Sequence, residues 1–104
     1  MSPSNLTASV SEIEVSLNWL DNSDNETVFL VERAVKLKGK KLPQFIAVAQ
    51  VSNNITTYSE FLDYGSYIYR VRALDQNLST YSNYSNEYSV KLSAIKSGGK
   101  GGRR

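Results

Sequence analysis

The chain has 104 residues, a net charge of +2, and neither cysteine nor histidine. The length bounds it to one domain with room for a single core. The missing residue types exclude disulfides, thiol and imidazole nucleophiles, and zinc sites built on either group.

Residues 6–10 alternate apolar and polar side chains and predict a first strand, with Pro3 suited to its entry. Ile13, Val15, Leu17 and Trp19 then alternate with Glu12, Glu14, Ser16 and Asn18, which predicts a second strand. Trp19 is the only tryptophan, and this pattern puts it in the core, where its N–H wants an acceptor. Residues 21–26 form a turn-prone cluster of Asp, Asn and Ser. Residues 27–34 predict a third strand with Phe29 and Val31 on one face and Glu32 on the other. A basic hairpin tip follows, from Lys36 to Pro43. Phe45, Val48 and Val51 recur every third residue, and their β-branched content favours a kinked strand over a helix.

Residues 55–58 predict a short strand, and residues 61–66 a loop. Residues 67–73 carry the clearest pattern in the chain: Tyr67, Tyr69, Val71 and Ala73 share one face, and Ile68, Arg70 and Arg72 the other. After a polar loop over residues 75–83, residues 84–93 predict a last strand with Tyr88, Val90 and Leu92 on one face. Seven short strands separated by turn signals predict an all-β sandwich. Residues 96–104 are Gly-rich and cationic and read as a flexible tail on a domain of residues 1–95. No apolar run is long enough to span a membrane, and residues 1–5 lack the features of a signal peptide.

Leu6-x-Ala8, Val15-x-Leu17-x-Trp19, the cluster at 21–26, and Phe29-x-Val31-Glu32-Arg33 together resemble a fibronectin type III domain of the bacterial or phage kind. The second half matches in the same order, through Phe45, Val48, Val51, Tyr58, the run at 67–73, and Ser82-x-Tyr84-Ser85-Asn86-Glu87. The resemblance covers residues 3–93. It implies a seven-strand immunoglobulin-like antiparallel β-sandwich of Greek-key topology, with a core of Leu17, Trp19, Phe29, Val31, Tyr58, Tyr67, Tyr69 and Val71. It also implies that Tyr67 forms a tyrosine corner, its hydroxyl bonded to backbone in the preceding loop. That loop is shorter here than in the family and lacks its proline, so the hydroxyl's partner stays open.

The functional reading is of a module with no catalytic role and no cofactor. Its acids lie on loops without a cleft between them, and Asp21, Asp24 and Glu26 lack the spacing of a calcium loop. Five Asn-x-Ser/Thr triplets, at Asn5, Asn25, Asn54, Asn77 and Asn83, read as a solvated surface. Tyr81 and Tyr84 are candidate contact residues, because tyrosine gives contact area at little entropic cost. The resemblance places Asp21, Asp24, Glu26 and Asp75 at one pole. It places Lys36, Lys38, Lys40, Lys41 and the tail's Lys96, Lys100, Arg103 and Arg104 at the other, diluted by Glu12, Glu60 and Asp63. Such a dipole suits a protein partner or neighbouring subunit docked end to end, or an anionic surface on the basic pole. Nucleic acid is disfavoured, since no aromatic platform is interleaved with those lysines. The expected setting is a larger extracellular protein, adhesive or structural; the alternative is a stand-alone subunit of a virus particle or filament.

Overall fold

The computed structural model describes residues 3–22, 27–36, 43–52 and 54–93. Eight strands lie within them: β1 (Ser4–Ser11), β2 (Glu14–Leu20), β3 (Val28–Val35), β4 (Ile46–Ser52), β5 (Thr57–Phe61), β6 (Gly65–Asp75), β7 (Thr80–Tyr81) and β8 (Tyr88–Leu92). All pairings are antiparallel. One sheet has the order β1-β2-β5. The other has β4-β3-β6, with β7 and β8 both on the free side of β6.

The alternation read from the sequence sets which side chains meet between the sheets. Leu6, Val15, Leu17 and Trp19 pack against Phe29, Val31, Tyr69, Val71, Ala73, Val90 and Leu92. Trp19 meets Phe29 edge to face at a centroid distance of 5.6 Å. The expected acceptor for Trp19 is not found: its buried Nε1 has no hydrogen-bond partner among the described residues. Ile13 also departs from expectation. It sits in the β1–β2 turn rather than in β2 and is 38% exposed.

The three-residue spacing at Phe45, Val48 and Val51 has a physical cause. Val31 pairs with Ala49 and Glu32 with Ala47, so Val48 is the extra residue of a β-bulge. The last strand, predicted at residues 84–93, forms only over Tyr88–Leu92, and the short β7 lies in the predicted polar loop. Between β7 and β8 the chain leaves the ladder, and two serines repair the gap. Ser82 Oγ accepts from the Ala73 N–H at 2.9 Å and Ser85 Oγ from the Val71 N–H at 3.0 Å. Their own N–H groups donate to the Ala73 and Val71 carbonyls. Asn86 closes the sandwich on this side. Its amide accepts from the Leu6 N–H at 2.9 Å and donates to the Leu6 carbonyl at 3.1 Å, as a strand's peptide group would.

The tyrosine corner is formed. Tyr67 OH donates to the Asp63 carbonyl at 3.0 Å, so the shortened loop still supplies the acceptor. Gly65, at φ 151°, opens β6 directly after this loop, in a conformation that disfavours other residues. Tyr58 is half-buried rather than central. It belongs to a polar cluster that bridges the sheets at their edge. Glu60 accepts from Arg33 Nη1 at 2.7 Å, from Tyr58 OH at 3.0 Å, and from Tyr69 OH. Glu60 is thereby turned inward and does not dilute a charged pole.

Burial, and then the bond to Glu60, hold the Tyr69 hydroxyl well above its ordinary pKa of 10.0. Tyr69 ionises near pH 10 in the unfolded chain but resists ionisation when folded. The unfolded chain therefore binds fewer protons above pH 10, and stability falls as pH rises through that value. Urea denaturation from pH 8 to 11 is expected to show this fall, with a shallower slope in Tyr69→Phe. Trp19→Ala removes a buried core side chain that meets Phe29 edge to face and is expected to cost about 3–5 kcal/mol, read from the same denaturation curves at pH 7.

Candidate interaction surface

The outer face of the five-stranded sheet starts from two register facts. Glu32 lies opposite Arg70, and Leu30 opposite Arg72, between β3 and β6. Since alternation sends Tyr69 and Val71 inward, both arginines emerge on the outer side. Tyr81 is paired with Leu74 across β6–β7 and shares that side. The serine detour carries Tyr84 over β6 between them.

The outcome is a stack of alternating rings and guanidinium groups. Arg70 Cζ lies 3.9 Å from the Phe45 ring centroid and 3.7 Å from that of Tyr84. Arg72 Cζ lies 4.6 Å from the Tyr84 centroid and 3.9 Å from that of Tyr81. The order is therefore Phe45, Arg70, Tyr84, Arg72, Tyr81. Each contact falls within the range where a cation is attracted to a ring face.

Glu32 underlies the stack and is only 7% exposed. Its Oε1 accepts from Arg70 Nε at 2.9 Å and pairs with Arg70 Nη2 at 2.9 Å, a two-pronged bond. Its Oε2 accepts from Tyr84 OH at 3.1 Å. Burial, then this bond, raise the pKa of Tyr84. Arg72 receives the weaker share. Its Nη2 is 3.7 Å from Glu32 Oε2, and its buried Nε has no hydrogen-bond partner among the described residues.

The poles offer a second surface. At one end the Leu62 N–H meets the Ile13 carbonyl and the Lys36 N–H meets the Ser66 carbonyl. A groove here is lined by Ile13, Val35, Phe61 and Leu62, with Arg33 and Asp63 at its sides. Phe61 is 70% exposed, and Tyr64 next to the groove is exposed as well. At the other end the Trp19 backbone N–H meets the Thr56 carbonyl and the Thr27 backbone N–H the Leu74 carbonyl. Leu20, Ile55 and Leu78 are exposed there, near Asp21 and Asp75. Asp75 is partly engaged in its own loop, accepting from the Asn77 and Leu78 N–H groups.

No protein-family model and no curated protein matches the chain. Solved structures do. A Fn3-like protein from Clostridium thermocellum superposes with a TM-score of 0.67 at 19% identity, over 91% of this chain and 95% of that one. The third fibronectin III domain of the human KIAA0343 protein gives 0.70 at 9% identity, over 95% and 86%. The fold is that of a fibronectin type III domain. The same fibronectin type III sandwich matches part of pectate lyase Pel3 from Pectobacterium carotovorum, with a TM-score of 0.71 at 15% identity, over 92% of this chain and 28% of that protein.

Within this fibronectin type III frame, the residues singled out from sequence divide. Tyr81 and Tyr84 come together in the stack. Lys36 is exposed at the pole with the apolar groove, apart from them. Lys38, Lys40, Lys41, Lys100, Arg103 and Arg104 lie outside the described residues, as do Asp24, Glu26 and Lys96. Sequence reasoning missed Phe45, Arg70, Arg72 and Glu32 as parts of one site. The available signal was two arginines on the outward side of the central strand and one glutamate on the outward side of the third.

Removing the carboxylate leaves two neighbouring guanidinium groups without their counter-charge. Glu32→Gln is therefore expected to lower stability by about 1–3 kcal/mol, measured by urea denaturation. A variant as stable as the parent would show that ring contacts alone hold the stack.

Proposed function

We propose that the chain is a non-catalytic structural module that joins protein neighbours end to end. The apolar groove of Ile13, Val35, Phe61 and Leu62 is the observation that carries this reading. A folded domain rarely leaves a phenylalanine as open as Phe61 beside three further apolar side chains, unless another surface covers them. Lys36 is exposed at this end and the sequence from Lys36 to Lys41 is basic, while the sequence from Asp21 to Glu26 is acidic, a charge difference that suits contact between opposite ends. A neighbour's Leu20, Ile55 and Leu78 supply the apolar partner.

This contact serves a larger extracellular protein in which such modules follow one another, adhesive or structural in role. The 28% coverage of the pectate lyase supports that setting, since there the likeness is to one part of a longer chain. It serves equally a stand-alone subunit of a virus particle or filament. In either case the tail at residues 96–104 is an appendage to the domain at 1–95, and its deletion leaves the melting temperature unchanged.

Light scattering on the purified chain separates the two settings. A stand-alone subunit is expected to self-associate with rising concentration, less so at high salt, and Phe61→Ser is expected to return it to a monomer. A monomer at every concentration and salt overturns self-assembly and leaves the module inside a larger protein.

A further inference from the structure

We infer that the outer face of β6 carries a carboxylate-binding site centred on Arg72, and that its occupant is an acidic segment of a partner protein. The site lies on a different surface from the poles, so its test and that of end-to-end joining are independent.

The charges on this face do not balance. Strand register places Arg70, Arg72 and, through its pairing with Ser66, Lys91 there. Against them stand Glu32 and, at the margin, Glu87, which forms no ion pair with the two arginines. Both oxygens of Glu32 are engaged at short range by Arg70 and Tyr84, and Arg72 holds only a long ion pair to Oε2 at 3.7 Å. Arg72 is thus a guanidinium with donors to spare, and its side chain is 24% exposed. It is also held in place, between Tyr84 and Tyr81. Much of the entropy an arginine loses on gripping a ligand is already lost here, which favours binding. A guanidinium edge with free donors fits a carboxylate.

The stack also decides between kinds of acidic partner. Tyr84 is covered on both faces by guanidinium groups, and Phe45 and Tyr81 on one face each. Sugars and nucleic acid bases bind aromatic surfaces through open ring faces, and here no two adjacent rings offer them. What remains are ring edges around a cation, the tyrosine and arginine combination that dominates protein contacts.

The test titrates the ¹⁵N-labelled full chain with poly-L-glutamate at low salt. Saturable shifts are expected at Arg72 Nε–H and at the amides of β6 and of residues 81–85. Arg72→Gln is expected to weaken this binding about ten-fold or more, and Arg72→Lys, which keeps the charge but not the fork, to lose most of it too. An unchanged pattern of amide signals elsewhere certifies that both variants are folded. Shifts confined to the lysine-rich residues, with affinity indifferent to both substitutions, overturn the site. Equal or tighter binding of polygalacturonate at Arg72 overturns the protein partner in favour of an acidic saccharide.

Discussion

β6 is paired along both edges, and its pleat decides both faces of the sheet at once. Every second side chain is driven between the sheets, where Tyr69, Val71 and Ala73 are almost wholly buried. The residues between have no choice but to face outward. Arg70 and Arg72 therefore stand one strand repeat apart, with Glu32 across from Arg70 on β3. A slip of one residue would put two guanidinium groups into the core, so the register that builds the core also builds the outer stack. The two cannot be varied separately.

The irregular stretch between β7 and β8 is where the structure departs most from a simple ladder, and it is also where Tyr84 is delivered. A continuous strand would have kept its alternation. Instead Ser82 and Ser85 offer hydroxyl oxygens to β6 while still donating their own N–H groups, so the bow is made without orphaned donors on β6. Asn86 does the same for β1. Three small polar side chains thus take over the work of backbone carbonyls and amides, and the freedom gained lets a tyrosine cross the face of β6.

The fold was legible because period-two alternation is written residue by residue. Val15, Leu17 and Trp19, Phe29 and Val31, and Tyr67 to Ala73 each announce their inward face without reference to the rest of the chain. Even the bulge at Val48 left a mark in the spacing of Phe45, Val48 and Val51. Ile13 misled because a turn residue at Glu12, with φ 57°, ends the alternation one step early, and nothing local marks that step. The stack was not legible for a different reason. Its members come from β3, β6, β7 and the segments beside β4 and β8, and only the pairing of strands brings them together. Tyr81 and Tyr84 were visible as candidates, but their partnership with Arg70 and Arg72 is a property of register.

An ionic cover on this face is not an obvious route to stability. Partly buried ion pairs lose much of their attraction to desolvation, and an apolar cover of similar size serves stability as well. The difference lies in what each leaves exposed. The same sheet ends in β4, an edge strand with unpaired backbone groups and an exposed Ile46. An apolar face running up to such an edge invites indiscriminate strand pairing. The bulge at Val48 twists that edge, and the arginine–tyrosine stack keeps the neighbouring face solvated while still engaging the buried Glu32. A surface of this kind repels casual apolar contacts and still presents a fixed cation, which is the combination a selective contact with an acidic partner requires.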